Sequence, residues 1–373
     1  MNHVKYPIKK WAEVLTIISG KNQRAVECSN GMYPIYGSGG IIGYANEYLC
    51  EAGTTVVGRK GTINCPIYVA ERFWNVDTAF GIAPGSELNP KFLFYFCKHF
   101  NFKALDKSTT IPSLAKRDLL SIKMPVPSIC EQEEIIARIE ELFSQLDSAA
   151  ATLNTIKQQL VVYRQSVLEE VFDSALGYDK GTIQSVCRNI VDCPHSTPKW
   201  TEGGKICLRT TNFKRGYLDL SEINYVSTET FVERNARLVP LPGDVLYSRE
   251  GAILGIACII PDNLFVCLGQ RMMLLRTNEK MLGRFLMHYL NSPKVTSFVT
   301  TKTGGSASPH VNVGDIKAFV VPIPPITEQQ KMLEQIEFRL SVCDSIEKTI
   351  NTALQQAEVL RQSILKKAFE GRL

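Results

Sequence analysis

The chain has 373 residues, 45% hydrophobic and 21% charged, with a formal net charge of +5. That length exceeds one ordinary core and points to two or three domains. The composition excludes a disordered chain, and so mild a positive charge is compatible with nucleic acid without requiring it.

The opening MNHVKYPIKKW has no apolar core of signal length, and nowhere do about 18 apolar residues run together, so a soluble, cytoplasmic protein without membrane contact is expected. Residues 1–124 read as a first globular domain. Glycine-rich turns separate the short runs YPIYGSGG, GTTVVGRKGTI, CPIYVA and TAFGIAP, which predict β-strands, and the breaker-free PKFLFYFCKHF predicts a helix over 90–100. Gly37, Gly39 and Gly43 make a G-x-G-x-x-x-G, one residue too long for a dinucleotide fingerprint, and no acidic residue is placed for a ribose. A glycine-rich turn is the reading there.

Residues 125–179 open with Pro125 and Pro127, an extended stretch, and continue without Gly or Pro into a long helix. Apolar residues recur at Ile135, Ile139, Leu142, Leu146, Ala149, Leu153, Ile156, Leu160, Tyr163 and Val167, a heptad stripe. About 40 helical residues make a rod of roughly 60 Å. Gly177 and Gly181 then mark a stop.

Residues 180–321 read as a second globular domain, with strand candidates KICLRTT, DVLYS, LGIACII, LFVCL and RMMLLRT and a helix over 282–290. Residues 322–373 are a second long helix, and here the sequence repeats itself. Residues 124–172 lie on 321–369 at a constant offset of 197 without a gap, with 21 identities in 49 positions. The second stripe runs Met332, Ile336, Cys343, Ile346, Ile350, Ala353, Ala357, Leu360 and Ile364, broken only by Arg339. A lone helix would leave such a stripe wet, so each copy is the economical partner of the other. The globules echo one another more weakly. The stretch from Gly53 to Gly61 matches that from Gly243 to Gly251 as a strand ending in a basic turn, and Pro112 and Pro309 each precede a terminal strand. The expected plan is globule, helix, globule, helix, with the helices paired antiparallel and the globules at opposite ends.

Catalysis is not legible. The chain has no GKS or GKT phosphate loop, no H-E-x-x-H, no G-x-S-x-G and no Asn-Pro-Pro-aromatic signature. Eleven cysteines with no C-x-x-C pair point to free thiols in a reducing compartment, and the one close Cys/His pair, Cys193 and His195, does not make a zinc set.

Binding signals are better. Basic and small polar loops occur at comparable places in both globules: Tyr36, Ser38, Arg59, Lys60, Lys107, Ser108 and Thr109 in the first. The second offers Arg209, Thr211, Asn212, Lys214, Arg215, Ser248, Arg249, Lys302, Thr303, Ser306 and His310. Arg bridges guanine, Asn bridges adenine, and small hydroxyls hold phosphate. Any one such loop is ordinarily solvated surface; the doubled arrangement is what points to two half-sites along double-stranded DNA. Ile136, Phe143, Leu333 and Leu340 lie off the main seam and are assigned to partner helices, the alternative being a widened intramolecular core.

The repeated P-x-P-x-x-x-E-Q at 125–132 and 322–329, the closing LRQSILKKAFEGRL, and the G-G-S-x-x-x-H-V-N-x-x-D-I of 304–316 carry a resemblance. Over essentially its whole length the chain resembles the DNA-specificity subunit of type I restriction-modification systems. The resemblance implies an α+β fold of two α/β target-recognition globules at opposite ends of a pair of long antiparallel coiled-coil helices, with pseudo-twofold symmetry. It implies a non-catalytic subunit that binds two modification subunits, which carry S-adenosylmethionine and methylate adenine N6; a restriction translocase could join them. No cofactor is expected on this chain. Recognition loops differ between members, so the resemblance assigns no base contact. A specificity subunit of another multisubunit defence system and a coiled-coil scaffold are the competing readings.

Overall fold

A computed structural model of the chain describes residues 6–303 and 309–373, which divide into two units. The first holds residues up to Asn154 together with Ile350–Leu373, and the second holds Thr155–Thr349.

In chain order the elements are β1 (Ile8–Lys10), α1 (Trp11–Val14), β2 (Leu15–Ser19), β3 (Tyr33–Gly37), β4 (Gly40–Ala45), β5 (Thr54–Gly58), β6 (Ile67–Val69), β7 (Trp74–Asn75), β8 (Ala79–Pro84), α2 (Pro90–His99), α3 (Lys116–Leu120), β9 (Lys123–Pro125) and α4 (Ile129–Ser174). After α4 come β10 (Lys180–Thr182), α5 (Ile183–Val186), β11 (Cys187–Asp192), β12 (Trp200–Thr201), β13 (Lys205–Leu208), β14 (Phe213–Lys214), β15 (Tyr217–Leu218), β16 (Tyr225–Val226) and α6 (Thr228–Arg234). The chain closes with β17 (Val245–Ser248), β18 (Ala257–Ile259), β19 (Val266–Leu268), β20 (Met272–Thr277), α7 (Gly283–Leu290), α8 (Pro293–Thr303), α9 (Val313–Lys317), β21 (Val320–Pro322) and α10 (Ile326–Phe369).

The first unit pairs its strands in the order β2-β8-β5-β6, antiparallel throughout. A smaller sheet, β4-β3-β7, joins β3 and β7 in parallel, and β1 pairs with β9. The second unit repeats this wiring. Its main sheet is β11-β20-β17-β18, its second sheet joins β13 and β19 in parallel, and β10 pairs with β21. The weak echo between the globules is thus one scaffold built twice. The second unit adds the β14–β15 hairpin and α6.

Local chemistry accounts for the helix boundaries. Asn89 caps α2 by accepting from the Lys91 amide at 2.9 Å, with Pro90 in the first turn. Ser128 and Glu131 bond reciprocally at the start of α4, the Ser128 hydroxyl donating to the Glu131 carboxylate at 2.7 Å and the Glu131 amide to the Ser128 hydroxyl at 3.4 Å.

Both long helices contribute to both units. In the first, the start of α4 (Ile135, Ile136 and Ile139) shares a core with the end of α10 (Ile364, Leu365, Ala368 and Phe369), while Asp147 further along α4 meets Arg361. Rising numbers on one helix meet falling numbers on the other, so the pairing is antiparallel. In the second unit Arg164 reaches Asp344 at 2.7 Å and Glu347 at 3.1 Å, and Glu170 reaches Arg339 at 2.8 Å, the same sense. The offset of 197 maps Asp147 onto Asp344 and Arg164 onto Arg361, so one ion pair is made twice. These pairs are partly exposed and are worth at most about 1 kcal/mol each; they set register more than stability.

Aromatic anchors double in the same way. Phe369 meets Phe92 and Phe96 at 5.2 and 5.3 Å between ring centroids, and Phe172 meets Phe285 and Tyr289 at 5.2 and 5.1 Å.

The seam differs from the expected continuous stripe. Ile139, Leu160, Val167, Ile336, Cys343, Ile350 and Ile364 are buried, whereas Ile156, Tyr163, Ile346 and Leu360 are exposed. Near each helix end the apolar face packs into the globule core together with the other helix. That also corrects the assignment of the off-seam residues. Ile136 and Leu333 are buried in the two globule cores, and Phe143 and Leu340 pack against those cores, Phe143 with its ring 5.9 Å from that of Tyr95. Ile136 and Leu333 thus belong to the intramolecular cores, and Phe143 and Leu340 stand half-buried at their edges. Arg339, the break in the stripe, stacks its guanidinium 5.4 Å from the Tyr163 ring centroid and pairs with Glu170.

Candidate nucleic-acid interface

Strand β5 ends in a turn whose backbone is held on two sides. The Arg59 and Lys60 amides donate to the Thr78 carbonyl at 2.8 and 3.2 Å, the Gly61 amide to Pro112 at 2.9 Å, and the Leu114 amide to Arg59 at 2.9 Å. Strand β17 ends identically in the second unit. There the Arg249 amide donates to Arg271 at 3.0 Å, the Gly251 amide to Pro309 at 3.0 Å, and the Val311 amide to Arg249 at 2.9 Å. Gly61 and Gly251 have φ of +80° and +85°, a left-handed conformation that disfavours a side chain. A third segment follows β3 or β13, the strands paired in parallel with β7 or β19. In the first unit it lies against the turn: a Cβ on Gly61 would stand 3.7 Å from the Ser38 hydroxyl.

In the first unit Ser38, Arg59 and Lys60 therefore come together. Arg59 and Lys60 line a cleft of about 340 Å³ with Ser113 and the exposed Lys116. The Arg59 guanidinium sits 5.7 Å from the Phe80 ring centroid and donates to the Asp77 carbonyl at 3.4 Å, while Lys60 is exposed. Tyr36 is half-buried edge-on to Phe73, and burial raises its phenol pKa, keeping it a neutral donor. In the neighbouring loop Asp106 accepts from the Ser108 hydroxyl at 2.6 Å and the Ser113 amide at 3.0 Å. Lys107 pairs with Asp118 at 2.9 Å, which holds that carboxyl below its usual range, and Thr109 is exposed.

The same tie recurs in the second unit, where Lys302 pairs with Asp315 at 2.6 Å and lowers its carboxyl pKa. Asp315 is Asp118 shifted by 197, so each unit ties a lysine, on a loop in the first and at the end of α8 in the second, to the short helix before its terminal strand. Arg209, Thr211 and Lys214 are exposed, with the Arg209 guanidinium 5.8 Å from the Trp200 ring centroid. Arg215 is exposed as a residue, but its guanidinium donates to the Asn291 carbonyl at 3.3 Å and burial lowers its pKa. Thr303 donates its hydroxyl to the Val299 carbonyl at 2.8 Å inside α8, and His310 is exposed beside Glu250. Ser306, and residues 304–308 of the quoted motif, lie outside the described residues.

Three residues chosen for DNA chemistry are structural instead. Asn212 is buried, donating to the Asp219 and Glu222 carbonyls at 3.0 and 2.8 Å and accepting from the Arg209 amide at 2.9 Å. Ser248 is fully buried and bonds both ways with Ile256. Arg249 is buried, its Nε and Nη2 donating to Asp192 at 2.8 and 3.0 Å and its Nη1 to Glu250 at 2.6 Å. Two carboxylates take three of its five N–H donors and hold the buried plane in place, which keeps it from reaching out to a base. Burial alone would lower its pKa, but the Asp192 bonds outweigh that and raise it.

Arg271 was missed. It reads as the first residue of a strand, yet it holds φ at +68° and is exposed, with no side-chain ion pair or hydrogen bond among the described residues. Its Nη1 lies 3.3 Å from where a Cβ on Gly251 would stand, so an exposed guanidinium flanks the turn whose own arginine is buried against two carboxylates. Its equivalent across the units is Thr78, an identity no sequence alignment at constant offset reveals. Lys60 offers the simplest test of the interface. Changing it to alanine is expected to weaken DNA binding of the assembled complex evenly across sequences and to lower the slope of log affinity against log salt by about 1.

No group of three or more metal-ligating side chains occurs among the described residues, and no helix among them is long and apolar enough to cross a membrane.

Comparison with known proteins agrees with this geometry. The family model for the type I restriction modification DNA specificity domain matches residues 4–158 and 191–356. The EcoBI specificity subunit of Escherichia coli is 26% identical over 348 residues, 85% of this chain and 73% of its own length. The EcoKI specificity subunit of Escherichia coli strain K12 is 24% identical over 357 residues, 87% of this chain and 74% of its own length. Among solved structures, a chain from a study of complex assembly and conformational transition of the type I R-M system superimposes with a TM-score of 0.74 at 17% identity, covering 99% of this chain and 98% of that one. The HsdS subunit from Thermoanaerobacter tengcongensis gives 0.55 at 17% identity over 99% and 97%. Two matched segments, one in each scaffold copy, thus carry the assignment: the chain belongs to the type I restriction-modification DNA specificity family.

Proposed function

We propose that each globule reads one half of a bipartite DNA site and that α4 and α10 serve as the ruler between the halves. The observation that carries this reading is the loop set built twice on one scaffold with different side chains. Lys60 stands where the second unit has Glu250, and the small turn at Ser38 stands where the second unit has Arg209, Thr211 and Lys214. One scaffold with two chemistries suits two different half-sites. Lysines and exposed arginines anchor phosphates, and Arg209 and Arg271 supply the planar donors suited to guanine.

Methylation of adenine N6 falls to partner modification subunits carrying S-adenosylmethionine, two of them by the symmetry of the repeat, with restriction and translocase subunits joining as required. Their docking surface is not the buried Ile136 and Leu333. It is the apolar side chains that α4 and α10 leave exposed, Val162 and its equivalent Val359, with Val161 and Phe338. A mere scaffold would not need the doubled loops. The reading fits a protein of the cytoplasm, where the DNA lies.

Inserting one heptad into each long helix tests the ruler. It adds about 10 Å, the rise of about 3 base pairs, so the gap between half-sites is expected to lengthen while both half-site sequences stay the same. An unchanged gap in a complex that still methylates DNA would overturn the ruler.

A further inference from the structure

We propose that Gln132 and Gln329 are positioning residues that fix the angle of each globule on its long helix and so hold the complex to one gap length. The proposal deepens the bipartite reading and rests on it.

Both glutamines are fully buried, an uncommon place for that side chain. The Gln132 amide oxygen accepts from the Asn89 backbone amide at 2.8 Å, and its Nε2 donates to the Glu87 and Pro127 carbonyls at 2.8 and 2.9 Å. Gln329 accepts from the Leu282 amide at 2.9 Å and donates to the Lys280 and Pro324 carbonyls, both at 2.8 Å. Each glutamine thereby ties three segments together: the first turn of the long helix, the proline-rich opening before it, and the link leading into α2 or α7. All six bonds go to backbone, which is why the linked residues can differ (Asn89 against Leu282, Glu87 against Lys280) while the glutamine does not. An apolar side chain of the same shape would orphan one amide and two carbonyls in each unit.

The consequence follows from what the link connects. Strand β8 begins just after Thr78, whose carbonyl caps the first turn of the interface, and ends at the link held by Gln132. Strand β20 begins just after Arg271 and ends at the link held by Gln329. Six extended residues span ~20 Å. About 10° of play at the glutamine end therefore moves the reading end by ~3.4 Å, the rise of one base pair. A loose joint at this place trades one gap length for several without altering which bases are read.

The test uses the full chain expressed with its modification subunits, and sequencing of the methylated sites. Gln132→Met and Gln329→Met, singly and together, keep the unbranched shape and remove the bonds. Both half-sites are expected to persist, while methylation at gaps one base pair shorter or longer rises about tenfold over wild type, since small misplacements carry large rate effects. Should a methionine variant fail to accumulate, Gln132→Glu is the second variant. It keeps the acceptor for the Asn89 amide and sets a carboxylate oxygen against the Glu87 and Pro127 carbonyls, and the same broadening is expected. Stable variants that methylate only the wild-type gap overturn the proposal, as does a uniform loss at the wild-type site without new gaps. A wild-type complex with no two-part site would instead defeat the bipartite reading.

Discussion

Replacing Phe369 with alanine is expected to lower the stability of the first unit by about 3–4 kcal/mol, within the range for deleting a buried aromatic ring. The residue lies near the end of the chain, where truncation is ordinarily harmless. Here it is buried against Phe92, Phe96 and His99, and it brings Ile364, Leu365 and Ala368 into the core with Trp11 and Leu93. Its loss leaves a cavity in a globule whose parts outside α10 lie more than 200 positions earlier in the sequence. Phe172→Ala is the matched change, acting on the second unit through Phe285 and Tyr289. Hydrogen exchange resolved by segment checks both, because each variant is expected to lose protection in one unit and keep it in the other. Equal loss in both units, or none, would contradict the anchoring described.

Asp192→Ala is expected to cost about 2–3 kcal/mol and to abolish reading of one half-site only. Removing the carboxylate strands the buried Arg249, a change that ordinarily costs about 3–5 kcal/mol; Glu250 remains as a partner and moderates it. The effect reaches the interface because Arg249 holds the turn after β17, and Arg271 and Pro309 are bonded to that turn through backbone. Arg249→Met removes the charge together with its need for a partner and is expected to cost less than Asp192→Ala. Chemical denaturation orders the two variants. The reverse order would show that the Arg249 ion pairs stabilise the turn by more than their desolvation costs.

The long helices were legible because their signal is long, free of breakers and repeated at one offset. The seam was only half legible. A period of seven tells which face is apolar but not what covers it, and at the globule ends Ile136 and Leu333 are covered by sheet and helix rather than by a partner chain. The doubled turn was visible as Arg59-Lys60-Gly61 and Arg249-Glu250-Gly251, and its pairing with Pro112 and Pro309 is what the structure adds. Charge was the misleading cue. Arg249 reads as a basic loop residue until Asp192, two strands away in the sheet, is seen to neutralise it. Arg271 reads as strand until its positive φ is seen to turn it outward. Local sequence carries residue type but not the long-range partner that decides whether a polar group is free.

This chain supplies specificity and not catalysis, so the most direct measurement is made on the DNA. Methylated bases are mapped across the genome in cells with and without the gene, the partner modification subunit being expressed in both. The account predicts a two-part, asymmetric site methylated at adenine N6 that disappears on deletion, with the half read by the second unit following changes at Arg271 and neither half-site sequence following changes at Lys60. An unchanged methylation pattern, with the modification subunit present, would contradict it.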